Sequence, residues 1–107
     1  MPFQKTDAYR VAKDLTKRVH FARIRDGELR DQATRAAKSA FLRLAEGLPN
    51  DSAPMRRKYF TTARNSACEV AAAIDLAVEI GALDKCAARD IIGLCVRLRA
   101  MLIVLAR

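Results

Sequence analysis

The 107-residue chain carries 20 lysines and arginines against 12 acidic residues, a net charge of +8, with 51% hydrophobic residues and no tryptophan. A chain of this length forms one domain, 1–107, with one core built from leucine, isoleucine, valine and many alanines. The opening segment lacks a signal-like apolar stretch, and the longest apolar run, Ala100 to Ala106, falls far below the roughly 20 residues that span a bilayer, so a cytoplasmic protein without membrane association is expected.

Apolar residues recur at helical spacing four times, separated by turn chemistry at Gly27, Gly47 and Gly81. No segment alternates with period two, so the expected fold is all-α, an antiparallel up-and-down four-helix bundle. Helix 1 is expected from about Asp7 to Arg25, capped by Thr6, with Ala8, Val11, Ala12, Leu15, Val19 and Ala22 inward and Arg10, Lys13, Lys17 and His20 on the opposite face. Helix 2 is expected from about Glu28 to Glu46, with Leu29, Ala33, Ala37, Ala40, Phe41 and Leu44 inward. Gly47 would then supply a left-handed C-terminal position ahead of Pro49.

Ser52 and Pro54 suit the cap and first turn of a third helix, from about Ala53 to Ile80, with Phe60, Ala63, Ala67, Val70, Ile74 and Ala77 as its main stripe. Its back face turns apolar at Ala72, Ala73, Leu76 and Ile80. Helix 4 should start at Asp84 and bury Ala88, Ile91, Cys95, Leu98, Leu102 and Leu105, with Ala100, Ile103 and Val104 on other sides. One core does not need that surplus: either a neighbouring helix packs on the back of helix 3 or another protomer does, and Leu76, Ile80, Ile103 and Val104 are candidate contacts with further copies of the chain.

No catalytic set can be assembled. His20, the one histidine, lies among lysines and arginines on the outward face of helix 1, and the carboxylates are scattered beside basic residues. Cysteines 68, 86 and 95, an odd count without a CxxC clip, read as core thiols in a reducing compartment rather than metal ligands or disulfides. Phosphate-binding glycine loops are missing too. The expectation is a non-enzymatic protein without metal or cofactor. Glu46, in the last turn of helix 2, opposes the helix dipole and calls for a cationic partner: Arg43, Arg56, Arg57 or an arginine of another subunit. That would make it a structural lock.

The positive charge is uneven: residues 1–43 hold 11 Lys/Arg against 5 Asp/Glu, whereas residues 44–81 hold 4 against 5. Two basic sets stand out, Arg10, Lys13 and Lys17 with Arg35 and Lys38, and the cluster Arg56, Arg57 and Lys58 opening helix 3. Such residues can neutralise the phosphates of RNA or DNA without reading sequence. The cluster also opposes the dipole of helix 3, a cost that a ligand would offset. Two readings stay open: an oligomeric module that binds nucleic acid through its positive surface, and a protein-interaction scaffold whose charge serves solubility alone.

The stretches Gln32-Ala-Thr-Arg35-Ala36-Ala37-Lys-Ser39, Leu44-Ala45-Glu46-Gly47 and Phe60-Thr-Thr-Ala63-Arg-Asn-Ser66-Ala67-Cys-Glu69 resemble the four-helix bundle family of 23S rRNA-intervening sequence proteins. That family is related to the accessory variability proteins of diversity-generating retroelements. The likeness covers nearly the whole chain, although Ala40 stands where the family usually has proline and Asn65 where it often has glycine. The resemblance implies a homopentameric ring and, in the retroelement branch, a basic surface serving a reverse transcriptase and nucleic acid. Fold likeness transmits assembly better than activity.

Overall fold

A computed structural model describes residues 6–107. Its helices are α1 (Asp7–Phe21), α2 (Gly27–Gly47), α3 (Ala53–Glu79) and α4 (Lys85–Leu105), with no strand among the described residues. The short connectors 22–26, 48–52 and 80–84 make successive helices antiparallel. Each helix packs on its sequence neighbours and α4 closes against α1, which gives a bundle 44 Å long and about 20 Å across. Among the described residues, no helix is long and apolar enough to cross a membrane.

Each helix begins where a short polar side chain satisfies backbone N–H groups that the helix itself leaves unpaired. Thr6 accepts from the Tyr9 N–H, Asp26 from Leu29, Ser52 from Met55, and Asp84 from both Cys86 and Ala87. The inward stripes are as expected at nearly every position, from Ala8 and Leu15 through Leu44, Phe60 and Ile74 to Leu98 and Leu102.

Helix α1 ends at Phe21, four residues earlier than the periodicity predicts. A continued helix would carry Ile24 round to the side of Lys13 and Lys17. Breaking it lets Ile24 turn into the core, where it is buried. Arg25 then joins the two connectors at this end: its N–H donates to the Ala82 carbonyl and its Nη2 to the Gly81 carbonyl, both at 2.8 Å. Ala82 and Leu83, on the opposite connector, are buried beside it.

The three turn glycines prove to have different roles. Gly81 is left-handed at φ 76°, and the N–H groups of Gly81 and Ala82 donate back to the carbonyls of Val78 and Ala77. This closes α3 by a Schellman turn. Gly27 is the first residue of α2, behind its cap Asp26. Gly47, expected as a left-handed terminus, is instead helical, and Leu48 after it is also right-handed, so Pro49 rather than Gly47 stops α2. What the glycine supplies is space. A Cβ there would lie 2.7 Å from Phe60 Cε1 and 3.0 Å from Tyr59 Cβ.

That approach belongs to the tightest seam of the molecule. Ala33, Ala36, Ala37, Ala40 and Gly47 of α2 and Ala63, Ser66 and Ala67 of α3 are all buried. Small side chains let the two backbones come close. The Ser39 and Ser66 hydroxyls bond to each other at 2.9 Å across the seam. No buried side-chain nitrogen or oxygen among the described residues lacks a partner.

Several expectations need correction at the edges of the helices. Leu105, expected in the core, is 37% exposed at the last position of α4, where it lines an open groove with Thr6, Asp7 and Ala8. Ala73, assigned to the back of α3, is buried. Of the three thiols expected in the core, only Cys95 is buried, while Cys68 and Cys86 are exposed. Burial, with the nearby Cys68 adding to it, pushes the Cys95 thiol from its ordinary 9.0 up to about 12.

Two outcomes follow from this packing. Gly47→Ala gains helix propensity but forces a methyl against Phe60, so urea denaturation should show a net loss of about 1–2 kcal/mol. Between pH 9.0 and about 12 the unfolded chain releases the Cys95 proton that the folded chain keeps, so this thiol's share of stability is intact below 9.0 and lost as pH rises. Cys95→Ala should therefore flatten the alkaline stability profile relative to wild type. In the native protein a thiol reagent should label Cys86 at once and Cys95 only on unfolding.

Candidate nucleic-acid interface

The antiparallel pairing of α1 and α2 brings part of the first basic set together. Lys13 and Lys17 project from one helix and Lys38 from the other, and with His20 they line an open groove of about 250 Å³. Thr16, Phe21 and Phe41 complete it. The lining is almost wholly carbon, and no acidic residue contributes to it. Thr16 turns its hydroxyl inward, donating to the carbonyls of Ala12 at 2.9 Å and Ala37 at 3.2 Å, which ties α1 to α2 beneath the groove.

Aromatic residues supply much of the remaining surface. Phe41 is half-buried and stacks at a tilt on Tyr9, with ring centroids 5.0 Å apart, and Lys13 Nζ lies 5.4 Å from the Tyr9 centroid. Such a placement holds the ammonium over the ring face while leaving it in reach of solvent. Phe21, the last residue of α1, is 73% exposed and meets the His20 ring edge-on at 4.9 Å. The rest of the Phe21 ring is left open to solvent at the mouth of the groove.

The other basic candidates are placed elsewhere. Arg10, two turns before Lys17 on the outward face of α1, lines a separate groove against α4 with Asp7, Asp14 and Arg97. Arg35 is exposed on α2, one turn before Lys38, and does not line the α1/α2 groove. The Arg56 guanidinium donates to the Asn50 carbonyl at 2.9 Å, so it braces the α2/α3 connector. Arg57 and Lys58 are exposed in the opening turns of α3, at the end of the bundle where α1 begins and α4 finishes.

Glu46 finds its cation on its own helix. Arg43 Nη1 lies 2.9 Å from Glu46 Oε1, one turn back, and both side chains are nearly half exposed. A pair of that kind contributes a few tenths of a kcal/mol. Arg18 pairs with Asp14 at 3.5 Å and reaches Asp90 of α4 at 3.6 Å, leaving less of its charge for a ligand. The apolar candidates divide between the two ends of the bundle: Leu76 and Ile80, half exposed, close α3, whereas Ile103 and Val104 lie at the far end of α4.

Sequence reasoning chose the groove lysines but missed its rings. Tyr9, Lys13 and Lys17 are spaced four apart and share a face, and that aromatic start to a basic stripe was a legible signal. Phe21 was harder to find, because the predicted helix ran past it. Phe41 falls by period on the inward stripe of α2, which conceals its outer edge.

No curated protein gives a significant match to the chain. The profile of the family described as 23S rRNA-intervening sequence protein, however, matches residues 4–104, a span that takes in all but the final residue of the helical bundle. The stretch Ala45-Glu46-Gly47 lies within that match, and the structure gives its glycine a reason, since Phe60 packs where any side chain would stand. With nearly its full length accounted for in this way, the chain belongs to the 23S rRNA-intervening sequence protein family.

Proposed function

We propose that this protein is a non-enzymatic module that binds RNA or DNA through its positive surface, with the α1/α2 face as the principal contact. The observation that carries the reading is the convergence of Lys13, Lys17 and Lys38 from two helices on one groove without an opposing carboxylate. Lysine acts on phosphates as a point charge, so these residues attract a backbone without selecting its sequence. The net charge of +8 adds a long-range pull on any polyanion. Arg35, next to Lys38 on α2, and Arg57 and Lys58 at the bundle end extend the positive surface.

The module works as an assembly of copies in this reading, five if it follows the ring that the family resemblance implies. The half-exposed Leu76 and Ile80 on α3 and the 58% exposed Val104 on α4 favour association. The two apolar patches lie toward opposite ends, so a contact of one with the other is heterologous, and such contacts form a ring where their rotation closes. A ring would present several positive faces and raise avidity for a long strand.

An anisotropy titration with mixed-sequence oligonucleotides tests the binding. Wild type should bind with strong salt dependence, and the triple variant Lys13→Gln, Lys17→Gln, Lys38→Gln should lower the salt slope by about 2, given roughly 0.7 per phosphate contact on a single strand. Equal weak binding by both proteins would remove the proposal. Native mass spectrometry tests assembly separately: Leu76→Lys with Ile80→Lys should shift the ring to monomers, and a monomeric wild type would rule the ring out.

A further inference from the structure

The groove beside the lysines has a second property that phosphate neutralisation does not use. Its surface is carbon-lined, its volume of about 250 Å³ falls below that of pockets for drug-sized ligands, and it carries the rings of Phe21 and Phe41. A phosphate has no use for such a surface. A nucleobase has a planar π face that stacks on aromatic rings, and every base has one. In a duplex those faces are already stacked on their neighbours, so only an unpaired strand can offer them.

We infer that the α1/α2 groove takes an unstacked base, so that the protein prefers single-stranded over double-stranded nucleic acid. This rests on the nucleic-acid reading above and adds to it the form of strand that the site accepts. The base enters between Phe21 and the outer edge of Phe41, while Lys13, Lys17 and Lys38 on the rim hold the phosphates on either side of it. Charge complementarity favours this occupant over an apolar peptide or a lipid tail: three lysines without one carboxylate surround the carbon floor. Thr16 fits the same picture, because its one hydroxyl proton is shared between the Ala12 and Ala37 carbonyls and is not donated to a base. Stacking without base-edge readout makes the preference one for strand form, not for sequence.

Phe21 is the residue to change, since at 73% exposure its ring contributes little to the core. The test uses a fluorescein-labelled mixed-sequence single strand, its blunt duplex, and the same single strand with abasic sites, each titrated by anisotropy. Wild type should bind the single strand about tenfold more tightly than either the duplex or the abasic strand, within the range found for one stacked base. Phe21→Ala should lower single-strand affinity about tenfold, to the level of the abasic strand, and Phe21→Tyr should restore it. Unchanged helical circular dichroism in Phe21→Ala would show that the loss is not one of folding. If single strand, duplex and abasic strand bind alike, or if Phe21→Ala binds the single strand as wild type does, the base site is refuted while backbone binding stands. If no oligonucleotide binds at all, both readings fall together.

Discussion

The constraint on which the molecule depends is the close approach of α2 and α3. Leucine-rich seams hold helices apart by the width of two branched side chains, but here alanines, two serines and Gly47 let the backbones come nearer. Alanine surrenders no rotamer freedom on burial, so the seam gains dispersion contacts with little entropic loss. Phe60 fills the space over Gly47 and marks where the approach is tightest. Once that pair is set, the two outer helices need only cover its flanks.

This division of labour explains why the functional face lies on α1 and α2. An outer helix packed by one stripe has a broad solvent side, and α1 uses it for Lys13, Lys17 and His20. Thr16 anchors that helix through the Ala37 carbonyl, which keeps the groove floor in register with Lys38 and Phe41 across the seam. The same threonine that joins the helices thus leaves the groove without a polar floor. Structural and recognition roles meet at one side chain.

Most of the fold was legible because burial and helical period agree: the four stripes, the caps Thr6, Ser52 and Asp84, and the turn at Gly81 could all be read from local chemistry. Failures came where tertiary contacts overrode local ones. Nothing near Gly47 in sequence announces Phe60, thirteen positions on, so a glycine before a proline read as a helix terminus. Ile24 fitted a helical continuation until the core at that end required an apolar plug. The site was legible in part: lysine spacing on one helix is a one-dimensional fact, but the meeting of Lys17 and Lys38 depends on how two helices pair. Phe21 and Phe41 looked like an end and a core residue, and only their shared groove gives them a common purpose.

The clasp made by Arg25 leaves the two ends of the bundle unequal. At one end its backbone and side chain fasten both connectors into a single knot with Ile24, Ala82 and Leu83 beneath. At the other, α1 starts and α4 stops beside the single connector 48–52. Heating should therefore leave the knotted end together longest, as a clothes peg holds at its spring. Phe21 and Lys17 sit near the spring, and Arg57 and Lys58 ride on the jaws.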